Sequence, residues 1–171
     1  MELQITKNTT KPHIILYKRD NGTETWMQAD DYFVRHDLSH YAIEKTLGYS
    51  TAFMGMLNNG MDIRDFENRE KRKQLTVTKE GWYAENMANL FLIEIAQGKF
   101  DDFNQVASSA FANMALDFPA PQLSTTAIDA VRKYLQELLQ SWSSLPAGQT
   151  LVLSFDAGNG SEVLQPGVFS S

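Results

Sequence analysis

The sequence predicts an α+β domain: a small antiparallel sheet, with three strands from the N-terminus and one from the C-terminus, packed against about five helices. Three observations predict it. The first thirty residues alternate polar and apolar positions around a tight-turn signal. The middle of the chain is a run of segments that open on a capping residue, several of them closing on glycine. Thr150 to Phe155 then alternates again, with Leu151, Leu153 and Phe155 on one side.

Each element follows from local chemistry. Leu3 and Ile5 alternate with polar neighbours, and His13 to Lys18 is a short apolar run behind Pro12. Asp20-Asn21-Gly22 is a tight turn, because Asn and Gly accept positive φ, and Thr23 to Gln28 returns as the third strand. Asp30 or Asp31 caps a helix to about Leu47, stopped by Gly48. A short helix is expected over Thr51 to Leu57, ending at Asn58-Asn59-Gly60. Met61 to Val77 reads as irregular and highly charged. Thr78 caps a long helix to about Gln97, closed by Gly98; Asp101 or Asp102 caps another to about Leu116. After Pro119 and Pro121, Ser124 or Thr125 opens an amphipathic helix to about Trp142, whose apolar side suits a core or a homodimer contact. The final strand is expected beside the N-terminal one. Residues 1–156 therefore form one domain, and 157–171, rich in Gly and Ser, are expected to be a flexible tail.

Composition narrows function only by exclusion. With 171 residues the chain can bury a substantial core. A formal net charge of -6 and a pI near 5.0 argue against nucleic acid and anionic membranes as partners. There are no cysteines, hence no disulfides, thiolate metal sites or cysteine nucleophiles. Met1 to Lys7 lacks the apolar stretch of a signal peptide, and a bacterial, cytoplasmic protein is the expectation. No phosphate loop or nucleophile elbow appears.

His36-Asp37-Leu38-Ser39-His40-Tyr41-Ala42-Ile43-Glu44 holds two of the three histidines. On a helix His36, His40 and Glu44 are spaced four apart and share a face. Stepping at about 100° per residue puts Arg35, Ser39 and Thr46 toward solvent. His36, Asp37, His40 and Glu44 fall opposite, among Phe33, Ile43 and Leu47. Charges on a core-facing arc must be paired, metal-bound or placed in a wet cleft. Two readings result. In one, His36, His40 and Glu44 hold a divalent metal, Zn²⁺ first, with Mn²⁺, Fe²⁺ or Ni²⁺ open, and Glu44 alternatively orients His40 from behind. In the other, the cluster is a buried hydrogen-bond network of a non-catalytic domain. Glu85 or Glu94 of the long helix can add a carboxylate, and the wheel does not choose between them. If the site is catalytic, Asp37 or the added Glu handles protons, and the substrate is an unspecified small molecule or peptide.

His36 to His40 resembles the HExxH signature of zinc peptidases, with Asp37 where those have Glu. That resemblance implies His36 and His40 as ligands, Asp37 as the base and Glu85 as the later-helix ligand. Asp reaches roughly 1.5 Å less far than Glu, which weakens the base assignment. The longer pattern is similar to a family of uncharacterised small bacterial proteins. Its marks are a strand meander, His-Asp-Leu-Ser/Thr-His-Tyr/Phe-Ala-Val/Ile-Glu, a Gly-Trp/Met-Asp-Ile/Leu-x-Asp-Phe segment matching Gly60 to Phe66, and a helix with Ala-x-x-x-Glu, here roughly Gly81 to Glu85. The likeness spans the chain to about residue 100 and implies a fold and a motif but no activity. Asp62 and Asp65 read as turn or helix caps, the 67–73 charge run as a solvated loop, and Trp26, Trp82 and Trp142 as packing anchors. Phe53, Met54, Met56, Met87 and Met114 read as core or cleft lining, and His13 as unrelated to the cluster.

Overall fold

Alternation at the N-terminus builds β1 (Glu2–Thr6), β2 (His13–Lys18) and β3 (Glu24–Ala29), and the C-terminal alternation builds β4 (Thr150–Ser154). The computed structural model describes residues 1–114 and 116–156; the expected tail, 157–171, lies outside the described residues. The strands form one antiparallel sheet in the order β3-β2-β1-β4. Ile5 sits opposite Ile15 on β2 and Leu151 on β4, so the inward-facing residues line up across the strands. The β2–β3 turn is closed by Gly22 at φ 81° and by Arg19 N–H donating to the Thr23 carbonyl at 2.9 Å. Leu3, Ile5, Ile15, Tyr17 and Leu151 are buried on the inner face, whereas Trp26 and Val152 are each 48% exposed on the outer face. Trp26 is therefore not the packing anchor that its size suggests.

The helices are α1 (Asp31–Leu47), α2 (Phe53–Asn58), α3 (Arg64–Glu67), α4 (Arg69–Gln74), α5 (Lys79–Gln97), α6 (Phe103–Ala112) and α7 (Thr125–Ser144). Caps fall on expected residues: Asp30 accepts from Phe33 N–H, Thr78 from Gly81 N–H, Asp102 from Gln105 N–H and Ser124 from Ala127 N–H. Gly48 ends α1 at φ 70°. Two expectations differ. The 61–77 stretch carries the short helices α3 and α4, because Asp62 accepts from Arg64 N–H and Asn68 from the Glu70 and Lys71 N–H groups. Such single-turn caps leave no long periodicity to read. The helix after Asp102 stops at Ala112 rather than Leu116, where Asn113 donates its side-chain amide to the Ser109 carbonyl.

α1 packs between α5 and α7 and touches β2 and β3. This sandwich removes the solvent face expected for its middle: Ser39 is fully buried, and its hydroxyl donates to the Arg35 carbonyl at 2.8 Å. Phe33, expected inward, is 49% exposed in the first turn. Arg19 fixes α2 beside the sheet by donating to the Leu57 carbonyl and, at 2.5 Å, to the Met61 carbonyl. No helix among the described residues is long and apolar enough to cross a membrane.

Candidate metal centre

Helical spacing on α1 sets the histidine rings side by side, with centroids 4.8 Å apart. Across the α1–α5 contact, Glu85 presents one carboxylate oxygen to each. Its Oε2 lies 3.1 Å from His40 Nε2, and its Oε1 lies 3.6 Å from His36 Nε2. One ligand atom from each of His36, His40 and Glu85 falls within 4.8 Å of the other two. His40 is buried, His36 is half-buried, and the Glu85 side chain is 52% exposed, so the cluster opens to solvent on the α5 side.

Behind each histidine stands a second carboxylate, on the Nδ1 side. Glu44 Oε1 is 3.2 Å from His40 Nδ1, and Asp37 Oδ1 is 4.0 Å from His36 Nδ1, beyond hydrogen-bond length. Both carboxylates are anchored. Glu44 Oε2 accepts from Met54 N–H at 2.9 Å and from Gly55 N–H at 3.4 Å, at the start of α2. Asp37 Oδ2 accepts from the buried Tyr17 hydroxyl of β2 at 2.5 Å. Gly55 is required by the close passage of the Ser50 backbone over the start of α2. A Cβ there would stand 2.0 Å from the Ser50 carbonyl oxygen. Phe53 closes the cluster from below, its ring centroid 5.0 Å from that of His40, while Tyr32 stacks on His36 at 6.2 Å.

The electrostatics follow from burial and partners. Burial disfavours the charged His40 imidazolium, but hydrogen bonds and attraction to Glu44 and Glu85 outweigh it and raise the pKa to about 9. His36 behaves alike: burial lowers it, Asp37 and Glu85 raise it, and the net shift is upward. Glu85, facing His36 first and then His40, is held well below the usual carboxylate range by the two imidazoles. Burial pushes Glu44 up against the opposing pull of His40 and the α2 amides. Tyr17 is raised by burial and then by Asp37, so it stays a donor.

The structure thus brings His36, His40 and Glu85 together and sets Asp37 and Glu44 behind the rings. Glu44 faces the far nitrogen of His40 and does not join the three converging atoms. Asp37 faces His36 Nδ1, away from the Nε2 side where a proton acceptor for water would sit. Glu94 is elsewhere: Arg132 grips its carboxylate at 2.6 and 2.8 Å, and it accepts from Phe100 N–H. His13 packs its ring against Trp142, and Asp62 and Asp65 pair with Arg64 and Lys71. Sequence reasoning missed Tyr17 and the Met54 and Gly55 amides. Tyr17 left a trace, since it shares the inward face of β2 with Ile15. The amides left none, because a backbone donor has no sequence signature.

Fold and site together define a two-layer α+β domain with an open two-histidine, one-glutamate cluster. Comparison with protein-family models, curated proteins and solved structures gave no match.

Proposed function

We propose that the chain binds one divalent metal ion through His36 Nε2, His40 Nε2 and the Glu85 carboxylate, with Zn²⁺ the first choice and Mn²⁺, Fe²⁺ and Ni²⁺ also compatible with mixed nitrogen and oxygen donors. One observation carries this reading. Both Nε2 atoms face one carboxylate, and His40 Nδ1 is hydrogen-bonded from behind by Glu44, the arrangement that fixes metal-binding imidazoles, while Asp37 lies 4.0 Å behind His36 Nδ1. Glu44 acts here as an orienting group held by the α2 amides, and Asp37, held by Tyr17, places a negative charge beside His36. Three protein ligands leave a position open, and a divalent ion there supplies Lewis-acid activation of water, which makes a metal-dependent hydrolase the corresponding activity. A Glu85 oxygen not taken by the ion would be the nearest proton acceptor, a weak one because the two imidazoles hold its carboxyl well below the usual range.

A second reading, a structural hydrogen-bond network in a non-catalytic domain, is favoured by one observation. His40 already bridges Glu44 and Glu85 at 3.2 and 3.1 Å, and its raised pKa lets it serve as an imidazolium at neutral pH. Metal analysis of protein purified without a histidine tag separates the two. Near-stoichiometric metal that disappears in the His36→Ala/His40→Ala variant supports the site. A metal-free, fully folded protein whose Tm is unmoved by Zn²⁺, Mn²⁺, Fe²⁺ or Ni²⁺ overturns it. Loss of hydrolysis in Glu85→Gln with retained metal would assign the proton acceptor; unchanged hydrolysis would remove Glu85 from that role.

A further inference from the structure

A second feature lies on the opposite flank of α1, where α1, the end of α5 and α7 leave an open cleft of about 580 Å³. That volume is within the range of small-molecule sites, roughly 300–1,000 Å³. Asp31 and Arg35 of α1, Glu94, Ile95, Gly98 and Lys99 at the end of α5, and Leu139 and Gln140 of α7 are among its walls.

Its charges are unevenly engaged. Glu94 is held by two nitrogens of Arg132, and Asp31 accepts from the Trp142 indole N–H at 2.7 Å. Lys7 Nζ donates to the Trp142 and Ser143 carbonyls, which covers the carboxyl end of α7, the end that would repel an anion. Arg35 and Lys99 are different. Neither side chain has a hydrogen bond or an ion pair among the described residues. Arg35 is half-buried as a residue, and a guanidinium without a protein acceptor at a cleft wall is open to charge-assisted hydrogen bonds from an anion. Glu94 is neutralised by Arg132, Asp31 keeps its charge with the Trp142 indole N–H as its partner, and the two charged groups of the cleft without a partner among the described residues, Arg35 and Lys99, are both cationic.

We propose that this cleft binds a small organic anion: a phosphate or carboxylate head on Arg35 and Lys99, and a short apolar body against Ile95, which is 42% exposed, and Leu139. The Gln136 and Gln140 amides are at hand for polar groups of the body. The inference is independent of the metal site, which uses the other side of α1.

The test is a titration of the full-length chain, before and after chelator treatment, with inorganic phosphate and with butyl phosphate, followed by amide NMR shifts. Saturable shifts are expected at Arg35, Ile95, Lys99 and Gln140, with butyl phosphate roughly tenfold tighter because part of its chain leaves water. Arg35→Gln and, separately, the exposed Lys99→Gln should each weaken binding roughly tenfold with unchanged Tm. Lack of saturation by about 10 mM of either probe, shifts that persist unchanged in both variants, or shifts confined to His36, His40 and Glu85 would each overturn the proposal.

Discussion

Replacing Glu44 by Gln tests how the histidine helix is tuned. In the native chain Glu44 uses Oε2 for the Met54 and Gly55 N–H groups and Oε1 for His40 Nδ1. An ionised carboxylate accepts only, so Nδ1 keeps its proton when the imidazolium gives one up, and Nε2 is the nitrogen freed to bind an ion. Gln keeps the length and the acceptor for α2, but turns its amide N–H₂ toward Nδ1. The favoured tautomer then moves the proton to Nε2, where it hydrogen-bonds Glu85 and must be displaced by any metal. Loss of such a partner behind a ligand typically weakens metal binding about 10–100-fold, or roughly 1.4–2.8 kcal/mol. Folding stability should change less, because the charge-assisted bond that is lost is offset by no longer burying an ionised carboxylate. Competition with a chromophoric chelator measures the affinity, and urea melts of the metal-free protein measure the fold. Glu44→Gln affinity within threefold of the native value, in a protein that binds metal, would refute the tautomer argument.

In the metal-free protein the His40 interaction should be pH-dependent: its pKa is raised to about 9 from an ordinary value near 6.5. Its stabilisation is full below about pH 6.5 and fades as pH rises through about 9, whereas metal affinity rises over the same window as the imidazole loses its proton. Parallel urea melts and metal titrations from pH 6 to 10 that moved in the same direction would contradict this. Tyr17→Phe strips the donor from Asp37 inside the core and should cost about 1–3 kcal/mol, which thermal melts would register as a Tm drop of roughly 2–12 °C in a domain of this size; an unchanged Tm would mean that the hydroxyl bond holds nothing. Gly55→Ala should destabilise and weaken metal binding, despite Ala being the better helix former, because its Cβ meets the Ser50 carbonyl oxygen at 2.0 Å. Arg132→Ala leaves the buried Glu94 carboxylate with only the Phe100 N–H and should cost roughly 3 kcal/mol in urea denaturation.

Local rules were enough for most of the architecture. Capping at Asp30, Thr78, Asp102 and Ser124 and the left-handed stop at Gly48 are written in neighbouring residues, so the long helices and the Asn21-Gly22 hairpin could be read directly. The site was half legible. His36, His40 and their shared face follow from helical spacing, and the likeness to known motifs pointed to Glu85. The wheel could not separate Glu85 from Glu94, because the choice depends on which helix packs against which side of α5. Arg132 on α7 claims Glu94, and α1 claims Glu85. Ser39 and Phe33 failed for the same reason: one helix face meets solvent or protein according to its neighbours, and α1 has neighbours on three sides.

The sequence by itself determined the α+β plan, the boundaries of the long helices and the pairing of two imidazoles one turn apart, because caps, turns and periodicity act within a few residues. Tertiary structure alone decided that Glu85 rather than Glu94 meets those imidazoles, and from which side. Glu85 lies 45 residues beyond His40, on a different helix; Tyr17 comes from a strand and the Glu44 cradle from the backbone of α2. Donor geometry at ångström scale depends on helix packing, and no residue spacing encodes it.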